Sequence, residues 1–330
     1  MAMMSTTNPA SLADAYQKVF STKLLEHAKQ LLVLNQFARK APFPKNAGAL
    51  TMRFFRPDVG ARTNVQTLTE GVPITTFREN PLNHVDVTLK QYGEASKISD
   101  ILNMTDLLSV LKQSTTSMGE DAALHADYQM VQELLDTTNS AGPISTANNR
   151  YAQGITSYNN LVAATAAGGA IVISDVLGAM TRLKIQRAPK INGDYVMVEP
   201  PQVSYDLMND SKFVNAGVYG TQKGLFTGEI GKWYGVRIVE TTAPWIEANT
   251  NGAIGTYSSG GSIYTSLVLG EGAFATPEMG GQSQLNPRII INDKPDKSDP
   301  LNQFITAGWK SFWGVVVLNN LWAVALRSKT

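Results

Sequence analysis

Among residues able to do chemistry, Ser266–Ala275, SLVLGEGAFA, comes nearest to a known arrangement. It reads as a strand followed by G-x-G-x-x-A. Dinucleotide-binding domains use that glycine pattern to bring backbone up to a pyrophosphate at a helix N-terminus. Asp293 lies roughly twenty residues further on, where such domains place an acid for a ribose hydroxyl. A nicotinamide-dependent oxidoreductase built on Gly270–Ala275 is therefore one function class to weigh. Against it, the fingerprint normally opens its domain, and here no further strand–helix units follow. The polar stretch KPDKSDP (Lys294–Pro300) comes directly after instead. The competing reading of the same residues is a tight glycine turn between a strand and a helix.

The remaining chemical inventory is thin. There is no cysteine, which excludes a disulfide framework, a thiolate metal site and a cysteine nucleophile. His27, His84 and His125 lie far apart, so a multi-histidine metal site is not expected. No G-x-x-x-x-G-K-[ST], H-E-x-x-H or G-x-S-x-G pattern occurs. Glu120 and Asp121 read as a solvated helix face. Trp233, Tyr234, Trp245, Trp309, Trp313 and Trp322 lack the interleaved Arg and Lys of a base-stacking platform and read as core. No catalytic, cofactor-binding or metal-binding residue is expected.

Charge and hydropathy narrow the class further. The net charge is +1, so no overall positive field would grip nucleic acid, whose binding rests on many phosphate contacts. MAMMSTTNPA at the N-terminus lacks the charged and apolar regions of a secretory signal. Trp309–Leu326 is apolar, but Lys310, Asn319 and Asn320 interrupt it, and the asparagine pair reads as a hairpin turn rather than part of a bilayer span. A soluble protein, cytoplasmic where it is made, is expected.

The elements that must position any site are unusual in order. Thr105–Thr137 holds no proline, and Leu107, Leu111, Met118, Ala122, Ala126, Met130 and Leu134 recur at spacings of four and seven. This predicts one long helix capped by Thr105, roughly 48 Å long at about 1.5 Å per residue. Ser11–Asn35 is a shorter amphipathic segment, and residues 1–45 are locally net +4. APFPKNAG (Ala41–Gly48) reads as a break. ALTMRFF and HVDVTLK alternate as strands and predict an antiparallel hairpin whose tip runs from about Arg56 to Asn83. That tip is far longer than an ordinary hairpin loop and holds little that could core it. Such a loop is either disordered or completed by another molecule.

Beyond a connection at Asn139–Asn160, Asp175–Arg187 predicts a helix capped by Ser174. Strands follow at Gly193–Pro200, Gly235–Glu240, Ser262–Leu269 and Arg288–Asn292, with a short helix closing at Tyr205–Asn209. Glycine-rich loops are expected at Asn215–Gly231 and Asn249–Gly261. The chain should end in two strands, Phe304–Leu318 and Leu321–Leu326, turning at Asn319-Asn320. The mixture is α+β, with a unit of about 140 residues after the long helix.

Several stretches carry a resemblance in order: LTEG (Leu68–Gly71), LKQYGEASKISD (Leu89–Asp100), GDYVMVEPPQVSYDL (Gly193–Leu207), GEIGKWYGVRIVETT (Gly228–Thr242) and DPLNQFITAGWKSFWGVVVLNN (Asp299–Asn320). Together with the order of elements, they resemble the major capsid proteins of tailed bacteriophages, with the Hong Kong 97 (Johnson) fold. The likeness is greatest to the branch typified by the coat protein of phage N-four. Glu199 departs from that branch, where a histidine is expected in many members.

The resemblance implies an N-terminal arm at 1–45, an extended β-hairpin loop (E-loop) at 46–91, and a spine helix with part of the peripheral domain at 92–155. It implies an α/β axial domain at 156–300 and C-terminal strands of the peripheral domain at 301–330. It further implies hexamers and pentamers forming an icosahedral head, assembled in the host bacterial cytoplasm around double-stranded DNA held without sequence specificity. Arg56, Arg62, Leu68, Glu70, Gly71 and Arg78 of the loop would contact a neighbouring subunit. A portal, possible decoration proteins and a scaffold are the expected partners. The scaffold is expected as a separate protein, because only about ten residues precede the first helical segment.

Overall fold

The computed structural model describes residues 33–43, 50–57, 67–68, 70–71, 73, 82–105, 110–135, 148–210, 229–241, 246–247, 263–279, 288–292, 300–301 and 303–329. A 3-10 turn, Leu34–Gln36, leads into β1 (Arg39–Phe43), then β2 (Thr51–Pro57), β3 (Leu82–Thr88) and β4 (Lys90–Ser99). Helix α1 (Asp100–Thr105) precedes the long helix α2 (Val110–Leu135). After β5 (Asn149–Tyr151) come α3 (Tyr158–Ala163), α4 (Ala166–Gly169), α5 (Ile173–Ile185), β6 (Tyr195–Glu199) and α6 (Pro201–Asn209). The chain then runs through β7 (Glu229–Trp233), β8 (Val236–Glu240), β9 (Ile246–Glu247), β10 (Ile263–Leu269) and β11 (Phe274–Met279). It closes with β12 (Arg288–Asn292), β13 (Phe304–Trp313), β14 (Val316–Val317) and β15 (Ala323–Lys329).

Two larger sheets and a separate ribbon result. One sheet runs β1-β11-β13-β12, with β14 on β11 and β4 along all of β13. The other runs β5-β15-β10-β6-β8-β7, with β9 on β10. The ribbon is the antiparallel pair β2–β3, in register from Thr51 opposite Thr88 to Pro57 opposite Leu82. The alternating strands therefore pair as predicted, but pairing runs one step beyond the expected tip boundary, through Arg56 opposite Asn83 to Pro57 opposite Leu82.

Strand β6 is buried at every position, as a central strand covered on both faces must be. Its Tyr195 and Met197 pack with Val176, Leu183, Val203 and Leu207 of α5 and α6. Val196 and Val198 turn the other way, into a core shared with Met118, Ala122, Ala126, Met130 and Leu134 of α2. The long helix thus buries the described part of that apolar line, from Met118 to Leu134. Thr105 is itself helical, the last described residue of α1, and residues 106–109 and 136–137 of the expected helix lie outside the described residues. Helix α5 starts at Ile173, not after a Ser174 cap. The Asp175 carboxylate accepts the Val172 N–H at 3.1 Å and so serves the exposed end of the backbone.

Three further expectations change. The break at Ala41–Gly48 begins later, since β1 carries Pro42 on its way to Phe43. A proline is tolerated because β1 is an edge strand. Residues 229–231 of the expected glycine-rich loop are strand. The expected C-terminal hairpin is not one: β13 and β14 belong to the first sheet and β15 to the second. Gly314 interrupts β13–β14 where the ribbon passes, since a Cβ there would meet the Thr88 carbonyl oxygen at 3.0 Å. Sheet membership runs across residues 300 and 301. β12 lies beside β13, while β15 lies beside β10. Trp309–Leu326 is therefore strand and turn, and among the described residues no helix is long and apolar enough to cross a membrane.

Candidate assembly surface

The glycine motif is a turn between two strands. Gly270 follows β10 and Gly272 takes a φ of +72°, but β11, not a helix, comes next. Two amides of the turn are already used. Gly270 N–H donates to the Trp322 carbonyl at 2.9 Å and Glu271 N–H to that of Pro189 at 3.0 Å. Without a helix N-terminus, and with those amides engaged, the cofactor reading fails, and the oxidoreductase alternative falls with it. The expected helix after this turn is likewise a strand, because Phe274 and Ala275 pair with Val317 and Val316. Asp293 lies outside the described residues.

No other constellation replaces it. Among the described residues no group of three or more His, Asp or Glu side chains is placed to hold a metal. His125 packs against Tyr92 at a tilt of 60° with ring centroids 5.0 Å apart, and burial lowers its pKa. Trp233, Trp309 and Trp313 are core, and Trp322 packs against both main core clusters.

The ribbon is instead the feature without an evident internal purpose. One face, Met52, Phe54, Val85 and Val87, rests on Ala275, Val316 and Leu318. The other face is exposed. Arg53 and Asp86 form a two-pronged pair there at 2.8 and 2.9 Å, which holds Asp86 below and Arg53 above their usual ranges. Leu50 and Phe55 stand 58% and 61% exposed.

Of the sequence-nominated contact residues, Leu68 is 72% exposed and Glu70 is exposed beside Gly71, whose φ of +79° suits a turn. Arg56 lies in β2 opposite Asn83. Arg62 and Arg78 fall outside the described residues, so these six are not seen gathered in one place.

Three structural anchors were not singled out in the sequence. Buried Asp127 on α2 accepts the Val33 N–H at 3.0 Å and so fixes the segment that leads into β1. Burial pushes its carboxyl up to about 7, against the pull of the Val33 and Leu34 amides. Asn148, also buried, donates to the Leu321 and Ala323 carbonyls at 3.0 Å each and accepts from Arg182 Nε at 3.1 Å. It thereby pins the crossing from β14 to β15. Gly93 and Gly308 let β4 and β13 approach closely: a Cβ would lie 2.6 Å from the Trp309 oxygen and 2.8 Å from the Glu94 oxygen, respectively. Asp127 had a legible signal, since an acid at that position interrupts the apolar line from Ala123 to Val131 and Leu134.

Comparison with known proteins gives this architecture a class. A family model described as phage capsid protein matches residues 84–319, more than half of the chain. The chain belongs to that phage capsid family. It is similar in fold to the capsid of Ralstonia phage GP4 (TM-score 0.65, 11% identity, covering 90% of this chain and 88% of that one). It is also similar to the capsid of cyanophage P-SCSP1u (TM-score 0.60, 15% identity, 89% and 87% covered). A third likeness is to the capsid of cyanophage Pam1 (TM-score 0.57, 18% identity, 89% of each chain covered). No curated protein sequence matches it. The fold is the Hong Kong 97-like capsid fold, and the protein is a major capsid protein, a component of the virion built from many copies.

Proposed function

We propose that the chain assembles as hexamers and pentamers into the icosahedral head of a tailed double-stranded DNA phage, and that residues 46–91 act as an extended loop completed by a neighbouring copy. The observation that carries this is the ribbon β2–β3. A lone two-stranded sheet is marginal in water, yet this one rests by one face on Ala275, Val316 and Leu318 and offers Phe55 on its open side, with Leu50 exposed just before β2. A second copy laid against that side would remove apolar surface from water. In this reading residues 1–45 form the arm, and α2 is the spine. The sheet containing β13 with β4 is peripheral, and the sheet around β6 and β10 is axial. Near-neutral charge suits a wall that encloses DNA without gripping it. A separate scaffold, a portal, decoration proteins and assembly in the host cytoplasm belong to the same proposal.

The test replaces Thr63–Phe77 with a short Gly-Ser link. Strands β2 and β3 stay paired, and loop closure changes by only about 0.6 kcal/mol per halving of length. The melting temperature of the subunit should hold, while sedimentation and negative-stain images should show shells lost. Normal shells from this variant would refute residues 63–77 as an intersubunit element.

A further inference from the structure

One end of the seven-stranded sheet gathers buried polar atoms without partners. Glu199, the last residue of β6, is fully buried, and neither carboxylate oxygen has a hydrogen bond. On the parallel neighbour β8 its register partner is a second acid, Glu240. On the other side β6 pairs with β10 as far as Val198 opposite Leu267, so one further step sets Ser266 across from Glu199. The Ser266 hydroxyl is buried and unpartnered, and so is that of Ser328 on β15, beyond β10.

The charges around Glu199 offer no compensation. From α6, the Ser204 hydroxyl comes near but donates to the Pro200 carbonyl at 3.4 Å. Lys329, at the end of β15, has its ammonium held by the Val162 and Ala164 carbonyls at 2.6 and 2.8 Å. Arg237 and Lys232 are bound to Asp194, at the opposite end of β6. Among the described residues the charge bearing on Glu199 is therefore Glu240, a like charge. Leaving a carboxylate ion there would combine full desolvation with repulsion.

We propose that this end of the sheet is a proton-binding site: Glu199 is held as the neutral acid in the native subunit, and loss of that proton against Glu240 loosens the ends of β6 and β8. The proton removes the charge that burial forbids and turns an acceptor into a donor, with the Ser204 hydroxyl oxygen nearby and Ser266 facing it on β10. Burial, the dominant cause, moves the Glu199 carboxyl up to about 8, with Glu240 reinforcing it and Ser204 partly opposing it. The consequence reaches beyond one side chain. The backbone of Glu199 accepts the Thr241 N–H at 2.9 Å, and Pro201 opens α6 two residues later. Ionisation therefore pushes on the junction that seats Val203 and Leu207 in the core. This inference does not depend on the capsid reading, because it is tested on the subunit and not on the shell.

The direction of the pH effect follows from linkage. An acid whose pKa is raised in the folded state gives full stability below its unfolded value. That stability is lost as pH climbs towards the folded value and then levels off. The experiment measures the chemical unfolding constant of the full-length subunit from pH 5 to pH 9 for wild type, Glu199→Gln and Glu240→Gln. The ratio of wild-type to Glu199→Gln unfolding constants should climb about ten-fold per pH unit up to about 8 and then flatten. Glu240→Gln should end that climb at a lower pH. Parallel profiles for wild type and Glu199→Gln would overturn the proposal. So would stabilisation of wild type, but not of Glu199→Gln, by calcium or magnesium at pH 8, since the site would then hold a cation. If Glu199→Gln fails to fold, infrared titration of wild type decides. A protonated-carboxyl band persisting at pH 7.5 and lost through about pH 8 supports the site; its absence at pH 7.5 refutes it.

Discussion

Asp127→Asn gives a direct measure of how the segment around Val33 is held on α2. The carboxylate is buried, and its Oδ2 accepts the Val33 amide at 3.0 Å, while Oδ1 has no partner. Burial raises its pKa from 3.8 to about 7, so the folded chain favours the neutral acid. The contribution of Asp127 to stability is then fully present below pH 3.8, is lost as pH rises towards 7, and is constant above. Asparagine keeps an oxygen for the Val33 amide and removes the charge. At about 1.4 kcal/mol per unit, the stability of Asp127→Asn relative to wild type should rise by about 3 kcal/mol between pH 5 and pH 7.5. Asp127→Ala separates charge from anchoring. It leaves the Val33 amide buried without an acceptor, at a cost of about 1–3 kcal/mol, and should speed proteolysis around residues 33–43. The assay is urea denaturation of the full-length subunit at both pH values, alongside limited proteolysis. Superimposable pH profiles for wild type and Asp127→Asn would refute the reasoning.

Gly308→Ala should destabilise the β4–β13 pairing by about 1–3 kcal/mol, because the new methyl meets backbone at 2.8 Å. Gly154→Ala, at φ +74° with open space around it, should cost about 1–2 kcal/mol in the same melt from backbone conformation alone. Purified particles should run as a single band near 35.7 kDa on denaturing gels, because residues 46–89 contain no lysine amine to form an isopeptide link. A covalent ladder would count against this.

The local elements were legible in the sequence because their signals are local. Period-two alternation in residues 50–55 and 84–89 marks β2 and β3, and spacing of four and seven in α2 marks the face that Met118, Ala126 and Leu134 bury. The unbroken apolar run of Tyr195–Val198 marks a strand covered on both sides. Turn chemistry was only half legible. The glycines of Gly270–Gly272 announced close backbone approach, but whether strand or helix follows depends on Val316 and Val317, which are distant in sequence and supply the pairing. Asn319-Asn320 likewise announced a turn. Its outcome, a transfer of the chain between sheets, is set by Asn148 reaching the Leu321 and Ala323 carbonyls. Among the candidate contact residues, Leu68, Glu70 and Gly71 are exposed as a surface role requires. In the proposed assembly what they would touch belongs to another copy of the chain, and no single sequence carries that geometry. The buried acids show the same limit most plainly. A carboxylate in a sequence reads as solvent-facing, because hydration is its usual fate. The apolar line marked Asp127 as out of pattern, but tertiary packing decided that it would hold the Val33 amide and that Glu199 would sit dry beside Glu240.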